Sequence, residues 1–341
     1  MIFHRVKILL IFLLLLIIRE ETYAQDCQMI LDQARQHYGL GHFSEALNVM
    51  KTCHPDKSDP QLQWQVARME ALCYLALKET EKAKKAGIRM LELNPRYEPN
   101  NLDDPAELIR LLESIPVISR FSIGLNFSPW TNCSFPEIRS VYTLNDMDKT
   151  YTGKNGYLLG LKGIYNINQH FGFQLSANAL QKQYDLKYHF DQWSFQMKES
   201  STYLNTPLVL NYTINPGKKL RFYGNLGVYS SYLLQGESSF SANNSEFQKS
   251  YSIEKVSTLT RRNKWDYGLN GGLGMVYAQR NGQLSLEVAY MHSLKNINNT
   301  QTRYEFTRLM GDYFYLEDDL RLHYLSLQLS YVQYLNFRVI K

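Results

Sequence analysis

The chain has 341 residues, with 37 Lys and Arg against 32 Asp and Glu, and its net charge of +5 is spread without a concentrated basic stripe, which argues against a nucleic-acid interface. Twenty-five Tyr and 16 Phe bring the aromatic content, with Trp, to 13%, high for a soluble helical protein, while the overall hydrophobicity is ordinary. That combination fits a barrel, which needs only alternate residues to be apolar, and the length leaves room for two domains.

The first residues read as a secretory signal. Arg5 and Lys7 precede an apolar run from Ile8 to Ile18, and Thr22-Tyr23-Ala24 supplies small residues for cleavage, so the mature chain is expected to begin at Gln25. The alternative, a transmembrane anchor, needs about 20 apolar residues; this run is shorter and is closed by Arg19-Glu20-Glu21. No lipobox-like Leu-Ala-Gly precedes Cys27, so no lipid attachment is expected there. No later stretch is long enough for a transmembrane helix, so a membrane-bound mature chain must cross as strands.

From Cys27 to Ser114 the apolar period is helical. ILDQARQHYGLGHFSEALNVMKTC places Ala34, Gly41, Phe43, Ala46 and Cys53 where a tetratricopeptide repeat has its packing residues, and WQVARMEALCYLALKETEKAKKAGIRMLELNP repeats the pattern at Ala71, Tyr74, Ala83 and Pro95. Ala46 and Ala83 lie 37 residues apart, close to the repeat period of 34 plus the insertion HPDKSDP. Both units resemble tetratricopeptide helix pairs. A further helix in DDPAELIRLLES would cap the stack, with Asp104 as its N-cap and Pro105 at N1. Such a segment is either a docking platform for a partner or a spacer that steadies the C-terminal barrel.

Cys27 opens the first helix and Cys53 closes its antiparallel partner, which predicts a Cys27–Cys53 disulfide. Cys73 reads as a buried free thiol and Cys133 as a loop residue without a partner. No cluster has the short ligand spacing that a metal needs, so no metal or cofactor site is expected.

After Pro116 the period is two. Eight strands are predicted: RFSIGLNFS, GYLLGLKGIYNI, FGFQLSANA, YLNTPLVLNYTI, LRFYGNLGVYSSYLL, WDYGLNGGLGMVY, LSLEVAYMHS and HYLSLQLSYVQY. In the sixth, Trp265, Tyr267, Leu269, Leu273, Met275 and Tyr277 share a parity, against Asp266, Gly268, Asn270, Gly272 and Gly274. A soluble sandwich can also alternate. The connections discriminate, because short turns such as Asn-Pro-Gly-Lys-Lys alternate with long polar links near 130–155, 184–200, 234–263 and 294–318. Outer-membrane barrels divide periplasmic turns from extracellular loops in this way. The same rule puts the helical segment in the periplasm.

The segments TYLNTPLVLNYTI, RFYGNLGVYSSYLL, WDYGLNGGLGMVY and LEVAYMHSL resemble those of the PorT-like outer-membrane β-barrel proteins of Bacteroidota-type bacteria, over about residues 117–341. PRYEPNNLDDPAELIRLL looks like the periplasmic repeat that precedes some such barrels. The resemblance implies fold and location, with roles associated with secretion. The chain departs from the pattern at its end, where LNFRVIK follows the last strand and leaves Tyr334 or Phe337 as the terminal aromatic.

Inside so narrow a barrel, Lys162, Arg221, Asp266 and Glu287 fall on the lumen parity and are expected to form a polar network; the alternative is a gated ion or proton path. His292 and Ser293 are the nearest candidates for chemistry, but they are sequential and point to opposite faces, with no third group to orient the histidine. No catalytic residue is therefore assigned. Arg261-Arg262 and the Tyr-rich loops offer contacts to anionic glycans or lipid headgroups, or a solvated surface.

The expected architecture is α+β: a signal peptide over 1–24, a tetratricopeptide-like periplasmic helical domain over 25–115, and an eight-stranded antiparallel transmembrane β-barrel over 116–341 in the cell outer membrane. The expected function is an outer-membrane anchor that presents a protein-interaction domain, an accessory of envelope assembly or secretion. The alternatives are a narrow transport pore and a lipid-modifying barrel enzyme. The expected partners are outer-membrane lipid and periplasmic or envelope proteins, not nucleic acid.

Overall fold

The computed structural model describes residues 27–53, 59–142, 149–216, 218–279, 281–305 and 307–340. The signal peptide expected over 1–24 lies outside the described residues. The chain divides into two compact units, one helical (up to Ile118, with Phe337–Lys341) and one of β-structure (Ser119–Asn336).

The helical unit contains α1 (residues 27–39), α2 (Phe43–Met50), α3 (Pro60–Ala76), α4 (Thr80–Leu93) and α5 (Ala106–Glu113). α3 starts where the sequence supplies its own cap: the Asp59 carboxylate accepts the Leu62 N–H at 2.9 Å, with Pro60 in the first turn. Ala34, Ala46, Ala67, Ala71 and Ala83 are fully buried, small side chains that let helix backbones approach closely. Cys27 and Cys53 form a disulfide with a Cα–Cα distance of 5.0 Å, which ties the start of α1 to the end of α2. Cys73 is a buried free thiol; burial first, and then the nearby Glu70, push its pKa up to about 11. The last residues of the chain belong to this unit, because Val339 packs with Met90, Leu108, Leu112 and Ile115 while the Ile340 N–H donates to the Pro116 carbonyl.

Asp104 does not cap α5. Pro105 holds the N-cap position in an extended conformation, and no side chain caps the helix. The Asp104 carboxylate instead collects Arg68 (Nη2 at 2.8 Å and Nε at 3.1 Å), the Tyr97 hydroxyl and the Asn100 N–H. Burial opposes its ionisation, but these donors outweigh burial and hold the carboxyl below its usual value. Burial and the same carboxylate push the Tyr97 hydroxyl up to about 12. The knot joins α3 to the segment before α5.

The β unit is one antiparallel sheet of nine strands: β1 (Val117–Ser140), β2 (Lys149–Asn166), β3 (Phe171–Phe190), β4 (Trp193–Ile214), β5 (Leu220–Asn244), β6 (Lys249–Ser257), β7 (Trp265–Ala278), β8 (Gly282–Ser293) and β9 (Asp319–Val339). Their order is β4-β3-β2-β1-β9-β8-β7-β5-β6, and β4 also pairs with β5, so eight strands close into a ring. The ninth, β6, hairpins back only onto the far half of β5, from Glu237 to Asn244.

Three of the expected long loops are largely strand. β3 and β4 run on to a two-residue turn at Asp191-Gln192; β5 continues to Asn244 and pairs with β6; and β1 reaches Ser140, so the Cys133 backbone lies in a ladder rather than a loop. The link before β9 carries a short helix, α6 (Thr307–Tyr313). These segments look polar because the strand changes its surroundings. On β3 the outward parity passes from Phe171, Phe173 and Leu175 to Gln183, Asp185 and Lys187, while the inward parity passes from Gln174, Ser176 and Asn178 to Tyr184, Leu186 and Tyr188. β4 changes over the same level: Phe195 and Met197 are buried beyond it, and Leu204, Leu208 and Leu210 are exposed below it.

The outward apolar band covers Phe171–Ala179 on β3 and Leu204–Ile214 on β4, matching the roughly 9–11 residues with which a tilted strand crosses a bilayer. Aromatics bound it. Phe121, Tyr165, Phe171, Phe173, Tyr212, Phe222, Tyr277 and Tyr331 ring the short-turn end, while Tyr232, Trp265, Tyr267 and Tyr290 lie toward the other.

Two outcomes are expected for the helical unit. Replacing both Cys27 and Cys53 by Ser should cost about 3 kcal/mol, from the loss of a cross-link across 26 residues, read by denaturant titration of the helical dichroism. Because the Asp104 carboxyl is lowered in the fold, its contribution is fully present above the ordinary aspartate pKa of about 4 and is lost as pH falls through the lowered value. Asp104→Asn should therefore be less stable at neutral pH and flatter in acid than the native chain.

Candidate functional site

The barrel interior contains the chemistry of this chain, at two levels. Within the apolar band, the Lys162 ammonium lies 3.2 Å from the Glu287 carboxylate, which also accepts from the Tyr223 hydroxyl at 2.7 Å and from Asn225 at 2.9 Å. Further toward the long-hairpin end, Lys182 pairs with Asp266 at 2.9 Å, and Asp266 also accepts from the Ser293 hydroxyl at 2.6 Å and from the Tyr229 hydroxyl at 3.3 Å. Asn126 bridges to Gln328 at 2.9 Å, and Ser330 donates to Asn126. Buried charge survives here because each carboxylate has an ammonium and further donors; unpaired, either would carry a desolvation cost of several kcal/mol.

The glycine-rich parity of β7 makes these contacts fit. A Cβ at Gly274 would lie 2.6 Å from the Tyr223 ring, and one at Gly268 would lie 2.9 Å from the Tyr229 ring. The two phenols occupy the volume the glycines leave and carry their hydroxyls to Glu287 and Asp266. Lys162 and Glu287 are 1% and 2% exposed, Asn126 1% and Asn205 fully buried.

Beyond the band the interior becomes an apolar core. Tyr184, Leu186, Tyr188, Phe195, Met197, Phe240 and Leu322 from the strands pack with Ile297, Leu309, Tyr313 and Tyr315 from the link before β9. At its base, Arg262 meets Glu199 through Nε at 2.7 Å and Glu317 through Nη1 at 2.8 Å, and it also contacts Asn298; Arg261 donates to Glu317 at 3.3 Å and to Ser238 at 2.6 Å. Lys149 pairs with Asp318 at 2.9 Å and donates to the Leu316 carbonyl, pinning the same link from another side.

The four lumen residues expected to form one network are divided. Lys162 and Glu287 pair with each other; Asp266 pairs with Lys182 instead; and Arg221 stands apart at the short-turn end, donating to Gln283 and Tyr334. Lys182 was legible in principle, since it continues the inward parity of Gln174 and Asn178, but it borders a segment that reads as loop. Tyr223 and Tyr229 also lay on that parity, and no local signal showed that their hydroxyls reach carboxylates on distant strands.

Arg261 and Arg262 are not solvated surface. Both are buried, because the turn after β6 folds inward and the two glutamates compensate them. Ser293 points inward to Asp266, whereas His292 lies on the outer face with its ring stacked 4.5 Å from that of His323. His323 accepts the Ser293 N–H at Nδ1 and meets Glu137 at 2.8 Å through Nε2. Among the described residues no group of three metal-ligating side chains is placed to hold an ion.

The family model for the outer membrane protein beta-barrel domain matches residues 119–299. Among solved structures, the chain is similar to the outer membrane protein OprG of Pseudomonas aeruginosa at 16% identity and a TM-score of 0.34, covering 63% of this chain and 96% of that one. The attachment invasion locus protein Ail of Yersinia pestis gives 15% identity and a TM-score of 0.26, over 62% and 97% of the two chains. Neisserial surface protein A gives 11% and 0.28, over 64% and 99%. Likenesses this distant carry no weight for function. No curated protein matches the sequence.

Truncating the lumen pair tests its energetics. Lys162→Met strands the Glu287 charge and should cost about 3–5 kcal/mol, whereas Lys162→Met combined with Glu287→Leu should recover most of that loss. Urea unfolding of protein refolded in detergent micelles measures both.

Proposed function

We propose that this chain, which belongs to the outer membrane protein beta-barrel domain family, is an outer-membrane anchor that holds a helical interaction domain in the periplasm. The observation that carries this reading is the filled interior. The charged lumen side chains are buried and paired, Lys162 with Glu287 within the apolar band and Lys182 with Asp266 at its edge, and an apolar core with buried arginine–glutamate pairs closes the interior beyond it. Such a barrel is suited to holding position in a membrane rather than to conducting. The aromatic-bounded band supports membrane insertion, and the connections β2–β3, β4–β5 and β7–β8 close at the edge of the band whereas β3, β4 and β5 run well past it at the other end, which supports assigning the first end to the periplasmic side.

The helical unit supports the interaction role. It contains two helix pairs packed through buried alanines, then α5, consistent with a short tetratricopeptide-like stack. The PorT-like resemblance suggests work in envelope assembly or secretion. Ser293 points inward to Asp266 and His292 lies on the outer face, so these two candidates do not pair as nucleophile and base.

The purified protein in a planar bilayer should show no conductance above background; steady channel currents would replace the anchor reading with a pore. In intact cells an added protease should spare the helical unit and should digest it once the outer membrane is permeabilised. Digestion in intact cells would reverse the orientation.

A further inference from the structure

The short-turn rim of the barrel carries charge of one sign. The described segments that form it, 117–124, 163–174, 209–216, 218–224, 275–279, 281–284 and 327–336, contain no aspartate or glutamate, but they hold Arg120, Lys218, Lys219 and Arg221, with His170 among them. Arg221 turns inward to Gln283 and Tyr334. Arg120, His170, Lys218 and Lys219 are exposed, and they succeed one another around the sector from β1 to β5.

Arg120, Lys218, Lys219 and the His170 imidazole stand at the edge of the aromatic girdle. The Arg120 guanidinium lies 5.7 Å over the Tyr165 ring and donates to its hydroxyl at 3.4 Å. His170 donates from Nδ1 to the Thr213 carbonyl at 3.0 Å, and its ring stacks on Tyr212 at 5.8 Å. Lys218 and Lys219 occupy the turn between β4 and β5, beside exposed Leu220 and Phe222. Cations directly beside an apolar, aromatic face match the depth at which a phospholipid places its phosphate above its acyl chains. A merely solvated rim would mix its signs. The long-hairpin end does so, with Arg139 paired to Glu137, Lys154 to Asp185, and Glu237, Glu246 and Glu254 among its lysines.

We propose that the β1–β5 sector of this rim binds the headgroup phosphates of anionic glycerophospholipids in the leaflet it faces. The inference rests on the membrane reading above and adds a lipid preference to it. The chemistry is charge-assisted donation from a guanidinium and two ammonium groups to phosphate oxygens, with the acyl chains lying along Phe121, Phe171 and Phe222.

The test uses the full chain in vesicles of equal phosphatidylglycerol and phosphatidylcholine, extracted gently and examined by native mass spectrometry for retained lipid. The native chain should retain phosphatidylglycerol preferentially. Enrichment should fall about fivefold for each charge removed across Arg120→Gln, Lys218→Gln and Lys219→Gln. The pair Lys249→Gln and Lys255→Gln at the opposite end should leave enrichment unchanged. A heat-modifiable gel band reports folding of each variant; should the triple variant not fold, the single turn variants Lys218→Gln and Lys219→Gln decide. Equal retention of both lipids by an inserted native chain, or enrichment that survives the rim substitutions, overturns the lipid preference and leaves the membrane reading standing. Failure of the native chain to enter vesicles overturns the membrane reading itself.

Discussion

Backbone hydrogen bonding is the constraint on which the barrel depends. A strand surrounded by hydrocarbon has no water to satisfy its N–H and C=O groups, so each must find a neighbour and the sheet must close. The β4–β5 pairing completes a ring whose other partnerships run from β1 to β9. With eight strands the ring is narrow. Inward side chains then lie close to one another, and each charge among them must be matched. The Lys162–Glu287 and Lys182–Asp266 pairs, with their tyrosine, asparagine and serine donors, are what that requirement looks like in this chain.

Each long strand serves two environments in succession. Within the band, apolar side chains point out and polar ones in; past the level of Lys182 the assignment reverses, and the sheet wraps an ordinary apolar core. The reversal needs no break in the ladder, since strand parity is a property of the backbone while the preference of each face is set by what lies beside it. Arg261 and Arg262 sit at the base of this core, where one arginine would strand a carboxylate and two, with Glu199 and Glu317, compensate. The link carrying α6 is thereby held by ion pairs as well as by Leu309, Tyr313 and Tyr315.

Function in this reading comes from what the barrel leaves free rather than from what it encloses. Its interior is committed to its own side chains, its band to lipid and its short-turn rim to positive charge. The helical unit is a separate body, with its own disulfide, its own buried carboxylate knot at Asp104 and its own core closed by Val339. An anchor and a presented domain are the division of labour we propose for this chain.

The sequence alone determined what local periodicity encodes. The apolar parity of Trp265–Tyr277 marked a strand with an outward face, the helical period over Cys27–Ser114 marked the other unit, and alternation with short turns pointed to a closed barrel. It also placed Lys162, Asp266 and Glu287 on the inward side, because parity follows from the backbone. Which charges meet was decided only by the closed ring. Lys162 and Glu287 are separated by 125 positions and Lys182 and Asp266 by 84, distances over which no periodicity carries information. The tertiary structure likewise turned polar links at 184–200 and 234–263 into strands and buried Arg261-Arg262. A residue's local pattern shows which way it points, but only the strands folded around it determine whether it meets water, lipid or a counter-charge.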